Sequence, residues 1–574
     1  MYILGLNAFH GDSSACLMKD GKVLVALEEE RIRRIKHWAG LPVEAIRYCL
    51  QDAGITIDQV DHITISRDPK ANAMKKVIHT IKNRVSPKAI LDRLTNSRKV
   101  ASIKTQLAQG LGVSESLIRA EIHNIEHHRS HLASAFFVSP FEKAAIVSID
   151  GFGDFTSTMI AVGNGNQMEV LGSVNYPHSI GVFYTAFTQF LGFPHYGDEY
   201  KVMGLAPYGE AKYMDKVRQV IHATPDGLFK LNLDFFMHHR EGINMSWEGG
   251  EPHIGSVFGP KFEEVFGQAR QKQDELTQYH RDLAASVQRV TEELIYHILT
   301  HLQKRTGLDA VCIAGGVAQN SVANGKLLRN TPFKKIYVPP AGHDAGTSIG
   351  SALYLYNQLL KEDRPAVMRT ASLGSHFSSD EIEAFLKTQP VTFKKLNDQE
   401  LNDTVTQCII DGGVVGWFQG RAEFGPRALG HRSILADPRR ADAKDILNLK
   451  IKRRESFRPF APSILAEQAP VFFEGSDDVP FMEKVYPIKE EKRALIPAVT
   501  HVDGSGRLQT VDAKNEPKYH ALISTFHQKT GVPILLNTSF NENEPIVNSP
   551  ANALDCFLRT KMDMLVLENF VVSR

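Results

Sequence analysis

Residues 2–9 (YILGLNAF) form a short apolar run that breaks into polar His10-Gly11-Asp12-Ser13-Ser14. A second run, ACLMK, turns through Asp20-Gly21 into KVLVAL, a β-hairpin pattern. The plan recurs at 144–149 (AAIVSI), which ends in Asp150-Gly151-Phe152-Gly153-Asp154; STMIAVG then turns through Asn164-Gly165 into QMEVLGSV. Strand, polar glycine-containing loop and hairpin, twice in one chain, predict two related half-domains, about 1–143 and 144–365. Apolar residues at three- and four-residue spacing predict helices over 42–53 and 276–305. The second leads into a strand at 309–316 (DAVCIAGG), a Gly-rich turn, and a further strand, loop and helix. Around 360–372 the pattern lapses into charge and turn residues, which marks a domain boundary. Residues 372–574 then read as a separate α/β unit.

Composition narrows the class. The 574 residues are 43% hydrophobic and 23% charged, values of a folded globular chain. Lys plus Arg total 66 against 65 for Asp plus Glu, which argues against whole-chain attraction to nucleic acid or an anionic membrane. Neither a nucleic-acid nor a membrane partner is expected. The five cysteines lack a CxxC pair, so a reducing compartment is favoured. No basic leader and no apolar run of about 18 residues is visible, and a cytoplasmic location is expected.

The balanced charge is an average. Residues 421–458 hold eleven Lys/Arg and five Asp/Glu, a local +6, interleaved with FGPRALG and FRPFAPS. Arginine suits bidentate contacts with phosphate and carboxylate, so the stretch reads as an anion pocket or a solvated basic stripe. Elsewhere, Glu126-His127-His128-Arg129-Ser130-His131 runs into an Ala-rich, helix-like stretch. His127 and His131, four apart, project from one face, a spacing that chelates one metal ion; a polar helix end is the plain alternative. Asp150 ends the next strand and Asp344 sits in the Gly-rich loop AGHDAGTSIG. Two imidazoles and two carboxylates suit Fe(II), Mn(II) or Zn(II). The Gly-rich loops 314–325 and 341–350 let backbone approach phosphate and predict nucleotide binding. No GxSxG elbow, protease cysteine signature or Rossmann GxGxxG is present.

The paired strand loops resemble those that face each other across the phosphate cleft of the actin, sugar-kinase and hexokinase superfamily. More specifically, HGDSSACL, EEERIRRIKHW, HHRSHLASA, SIDGFGD, YKVMGLAPYG, AGGVAQNSVANG and AGHDAGTSIG resemble the O-carbamoyltransferase family of antibiotic and nodulation-factor biosynthesis. So do GRAEFGPRALGHRSILADPR, KRRESFRPFAPS, HVDGSGRLQTV and LLNTSFNENEPIV, in order along the whole chain. The resemblance implies an actin/hexokinase-like N-terminal domain (1–365) and a YrdC-like C-terminal domain (372–574). The second is expected to form carbamoyladenylate from carbamoyl phosphate and ATP, with Mg, releasing pyrophosphate. The first is expected to pass the carbamoyl group to a hydroxyl of a small natural product.

By motif, the resemblance makes His127, His131, Asp150 and Asp344 the ligands of a divalent metal, Fe(II) foremost. It makes His10 the general base, with Asp12 beside it and Lys36 lining the acceptor or phosphate side. Gly11 departs from the family pattern, in which His directly precedes Asp. Gly151, Gly153, Lys201, Gly315, Gly316, Asn320 and Gly346 become nucleotide contacts. Arg421, Arg427, Arg432, Lys452, Arg454, Arg507, Asn537, Ser539 and Asn541 become contacts to carbamoyl phosphate and ATP. Acceptor loops are expected at 68–118 and 210–260, and a homodimer is compatible with this reading. The alternatives are a tRNA threonylcarbamoyl-type modification component, a metal- and nucleotide-binding regulator, and a sugar kinase.

Overall fold

The computed structural model of the chain describes residues 1–82, 102–243, 245–475 and 477–574. They form two compact units, Met1–Ala323 with Leu327–Met368, and Arg369–Arg574 with Asn324–Lys326.

The first unit uses one five-stranded plan twice. β1 (Tyr2–Asn7) pairs antiparallel with β2 (Ser14–Lys19), and β2 with β3 (Lys22–Glu28); on its other side β1 runs parallel to β4 (His62–Ile65), and β4 to β5 (Glu121–Asn124). Positive φ at both Asp20 and Gly21 gives the β2–β3 turn the mirror-image geometry that matches strand twist. In the second half β6 (Lys143–Gly153), β7 (Thr156–Asn164) and β8 (Gln167–Asn175) form the antiparallel meander. Two short ribbons follow, β9 (Ile221–Ala223) with β10 (Phe229–Leu231) and β11 (Met245–Ser246) with β12 (His253–Ile254). β13 (Ala310–Ala314) then runs parallel to β6, and β14 (Lys335–Tyr337) parallel to β13. The orders β3-β2-β1-β4-β5 and β8-β7-β6-β13-β14 are therefore equivalent. The repeated strand–loop–hairpin pattern predicts this duplication, and the strand order agrees with the actin/hexokinase-like domain that the resemblance implies.

Burial explains the sequence pattern. Ile3, Leu4 and Leu6 are all buried, so β1 reads as a continuous apolar run rather than an alternation. Leu4, Leu6, Ile63 and Ile65 share a core with Ile46, Cys49 and Leu50 of the helix Val43–Asp52. The long helix is observed at Gln278–Thr306 and stops at Gly307, whose φ of +66 is the left-handed cap. Of the expected acceptor loops, the described parts hold the helices Ala73–Lys82 and Ile103–Leu111 and ribbons β9 to β12; residues 83–101 and 244 lie outside the described residues.

The second unit is a nine-stranded mixed sheet. Its strands are β15 (Phe393–Lys395), β16 (Val415–Phe418), β17 (Arg432–Ala436), β18 (Ala461–Leu465), β19 (Lys484–Pro487), β20 (Ser505–Val511), β21 (Ile534–Ser539), β22 (Met564–Leu567) and β23 (Phe570–Ser573). They are ordered β15-β23-β22-β16-β17-β21-β18-β20-β19. Its core gathers Trp417, Ile434, Ile464, Leu508 and Leu535 against Val405, Ile409, Leu522, Phe526 and Phe557 from the flanking helices. All five cysteines are free thiols, and among the described residues no helix is long and apolar enough to cross a membrane.

Candidate metal centre and anion pocket

The helix His127–Phe136 is anchored at its first turn from two sides. The Glu126 carboxylate accepts from the backbone N–H of Arg129 (2.8 Å) as an N-cap. Asp154 accepts from the N–H of His127 (3.0 Å) and of Asp68 (2.7 Å). His127 and His131 then face Asp150 on β6 and Asp344 in the loop after β14.

The two Nε2 atoms are 3.1 Å apart. Asp150 Oδ2 lies 3.3 Å from His127 Nε2 and 3.1 Å from His131 Nε2, and Asp344 Oδ1 lies 3.5 and 3.3 Å from the same atoms. Four ligands about 2.0–2.1 Å from one ion make a tetrahedron with edges of about 3.3–3.4 Å. The observed set fits a divalent cation on distance alone. Its chemistry agrees. Asp344 Oδ1 is buried without a hydrogen-bond partner among the described residues. Burial works against charge on His127, yet the facing Asp150 and Asp344 carry its pKa well above the usual value. Two buried carboxylates thus demand positive charge at this point.

His128 belongs to the scaffold. Its Nδ1 is 2.6 Å from Ser148 Oγ and its Nε2 3.0 Å from the Thr156 carbonyl. Burial, then the neighbouring His127 and His131, push it down to about 3, so it packs as a neutral ring.

His10 follows β1 and reaches the same place. Its Nδ1 lies 2.5 Å from Asp344 Oδ2, and its Nε2 3.3 Å from the Phe152 carbonyl. It borders a cavity of ≈ 70 Å³ whose wall includes Asn7, Ser66, Arg67, Phe152 and Asp154. The departure at Gly11 has a steric cause: a Cβ there would stand 2.5 Å from the hydroxyl of Tyr196. Asp12 turns away from His10 and pairs with His37, Nδ1 to Oδ1 at 2.7 Å. Although burial opposes it, Asp12 raises the His37 pKa to about 9.

Lys36 is exposed, and its neighbour His37 is the side chain that meets Asp12. The cation in the cavity wall is Arg67, which donates to the Phe9 carbonyl at 2.9 Å and stands near Asp154. No sequence motif marks Arg67.

Most of the expected nucleotide contacts have local duties. Asn320 caps the helix Ser321–Asn330 and exchanges two 3.0 Å hydrogen bonds with Gln288, which commits its amide. Lys201 Nζ pairs with Asp198 at 2.9 Å. The Gly316 N–H donates to Asp150 Oδ1 at 3.0 Å and so orients a metal-facing carboxylate. Cβ atoms at Gly315 and Gly346 would meet the Ile149 and Ala341 carbonyls, whereas Gly151 faces open space.

Gly153 is the most demanding of these positions. A Cβ there would lie 2.0 Å from His127 Cδ2. Gly153→Ala is expected to displace His127, cost about 1–3 kcal/mol of stability through overpacking, and lower bound metal per chain. Metal analysis and thermal melting check it; wild-type values for both would mean that His127 has room to shift.

In the second unit, burial and the guanidiniums of Arg427, Arg454 and Arg458 drive the Arg507 pKa well below its usual value. Arg507 Nε is buried without a hydrogen-bond partner among the described residues. Burial alone brings Arg427 down to about 10. Arg458 joins the cluster although its FRPF context gave no separate signal.

Lys452 Nζ reaches Asn541 Oδ1 at 2.6 Å and Ser539 Oγ at 3.1 Å, and Ser539 Oγ donates to Asn541 Oδ1 at 2.8 Å. Arg421 donates to the Gly374 carbonyl at 3.0 Å.

Two expected anion contacts are framework instead. Arg432 is fully buried over the Phe418 ring, and its Nη1 and Nη2 donate to the carbonyls of Gln419, His431, Ser375 and Gly420. Asn537 donates to Ser463 Oγ, Gln509 Oε1 and the Ala428 carbonyl, tying β21, β18 and β20 to the backbone next to Arg427.

The family model "Carbamoyltransferase N-terminus" matches residues 2–353, and "Carbamoyltransferase C-terminus" matches 406–574. The nodulation protein NolNO of Sinorhizobium fredii is 40% identical over 99% of this chain and 80% of its own. The 3'-hydroxymethylcephem-O-carbamoyltransferase of Amycolatopsis lactamdurans is 36% identical over 44% of this chain and 47% of its own. Among solved structures, the (R)-2-hydroxyglutaryl-CoA dehydratase component A of Acidaminococcus fermentans covers 62% of this chain and 97% of its own, at 15% identity and a TM-score of 0.32. With family models matched over most of its length, the chain belongs to the carbamoyltransferase family.

Proposed function

We propose that the chain is an ATP-dependent O-carbamoyltransferase with a small-molecule hydroxyl as acceptor, its chemistry divided between the two units, 1–365 and 372–574. The observation that carries this reading is the cage of His127, His131, Asp150 and Asp344 beside His10, in a chain of this family.

In the second unit, carbamoyl phosphate loses phosphate to water, giving carbamate. A carbamate oxygen then attacks the α-phosphorus of ATP, and pyrophosphate leaves. Arg427, Arg454 and Arg458 all work against the charge of Arg507, an arrangement that polyanions relieve. Arg421 supplies a further contact to the bound anions, while Lys452, its Nζ shared among four oxygens of Ser539 and Asn541, holds that loop in place.

In the first unit, His127, His131, Asp150 and Asp344 would hold a divalent metal, which when bound would supply a Lewis acid toward the adenylate phosphate. Arg67 and the open backbone at Gly151 offer positive and N–H contacts to the same anion. His10, whose Nδ1 lies 2.5 Å from Asp344 Oδ2, is the base that takes the acceptor's hydroxyl proton. The acceptor oxygen then bonds to the carbamoyl carbon, and AMP departs. A buried cleft protects the mixed anhydride from water.

The test is carbamoyl-phosphate-dependent ATP–pyrophosphate exchange, followed by AMP release when an acceptor is added. Exchange that requires carbamoyl phosphate is expected. No AMP with any acceptor sinks the transferase reading, and ADP as the product favours the kinase.

A further inference from the structure

A second set of metal-type ligands lies outside the catalytic cage, at the edge of the first sheet. β4 and β5 run parallel, with His62 opposite Glu121 and Thr64 opposite His123. Side chains alternate along a strand, so His62, Glu121 and His123 emerge on one face. His62 Nδ1 and His123 Nε2 are 3.1 Å apart, and Glu121 Oε2 lies 3.8 and 3.7 Å from them.

We propose that His62, Glu121 and His123 form a peripheral binding site for a zinc-class divalent transition metal, which staples edge strand β5 to β4.

Three arguments converge on this site. A hydrogen bond between two imidazoles accounts for 3.1 Å but needs no third group. The Glu121 oxygen is too far from either ring to accept a hydrogen bond, yet it stands almost equally distant from both nitrogens. Ligands about 2.0–2.1 Å from one ion sit about 3.3–3.4 Å apart in a tetrahedron, so the histidine pair stands within a few tenths of an ångström of its place. The carboxylate needs to close by a few tenths of an ångström, and at 70% exposure its side chain is free to rotate. Two imidazoles and a carboxylate favour Zn(II), Ni(II) or Cu(II) over the hard cations Mg(II) and Ca(II). Water completes the coordination on the solvent side.

The placement gives such a site a consequence. β5 is the outer strand of its sheet, and the helix with His127 and His131 begins at His127, soon after β5 ends at Asn124. A metal across β4 and β5 fixes the root of the segment that carries both imidazoles of the catalytic cage.

The test uses the full chain stripped with a chelator and titrated with Zn(II), read by calorimetry and by thermal melting. Wild type is expected to bind two equivalents. Glu121→Gln and His123→Gln are each expected to lose one, or to weaken it tenfold or more, with a smaller Zn-induced rise in Tm. Glu121 is exposed, so its variant tests the site without a folding defect. Two equivalents of wild-type affinity in both variants overturn the proposal, as does a single equivalent in wild type that both variants keep. The catalytic cage is scored separately: His127→Ala removes the other equivalent and leaves this one.

Discussion

His127→Ala is expected to lose carbamoyl transfer by at least about three orders of magnitude while carbamoyl-phosphate-dependent ATP–pyrophosphate exchange continues near the wild-type rate. The two imidazole nitrogens of the cage stand 3.1 Å apart and 3.1–3.5 Å from the oxygens of Asp150 and Asp344. Removing one leaves two buried carboxylates with less compensation, so affinity for the ion falls steeply. Bound metal per chain should drop with the transfer rate. Folding is the confounder, because Asp154 holds the His127 backbone and Gly153 packs on its ring. His127→Gln, closer in volume, separates the two causes: it should lose metal and transfer while melting near wild type. Equal loss of both half-reactions in a well-folded variant would overturn the division of labour between the units.

Parts of this arrangement were readable in the sequence because they rest on local periodicity. A four-residue spacing is enough to put His127 and His131 on one helix face. The repeated strand–loop–hairpin pattern is enough to predict a duplicated sheet, since turn chemistry and apolar runs are short-range signals. What escaped depends on long-range packing. Arg432 looks like any other arginine of a basic stretch, yet its two Nη groups are spent on four carbonyls. Asn320 and Asn537 are amides that suit either a ligand or a framework, and only the partners on distant elements decide. Lys36 and His37 are adjacent, and the backbone turn determines which one meets Asp12. Arg67 follows β4 with no motif around it, and enters the cavity wall only when two half-domains close on each other. Gly153 is legible as a loop glycine, but its reason is the ring of His127, 26 positions earlier in the chain.

The opposite signature is expected at Arg507. Arg507→Ala should slow adenylate formation by about 10²–10³-fold, the usual cost of deleting one preorganised charge donor at a reacting phosphate. Transfer from preformed carbamoyladenylate should be largely unaffected. Stability separates a binding role from a structural one. In the unliganded chain Arg507 is buried among Arg427, Arg454 and Arg458, and both burial and repulsion work against its charge. Deleting it removes an unfavourable charge from the folded state, so Tm should stay level or rise even as activity collapses. A framework arginine behaves in the reverse way, losing stability and activity together. Arg507→Lys keeps the charge but gives up the bidentate fork, and should fall between wild type and Arg507→Ala in pyrophosphate exchange. Added phosphate or pyrophosphate should raise the Tm of wild type more than that of Arg507→Ala, because the anion relieves repulsion that the variant has already lost. A variant that melts well below wild type, and whose pyrophosphate exchange falls only in proportion to the unfolded fraction, would return Arg507 to the scaffold beside Arg432.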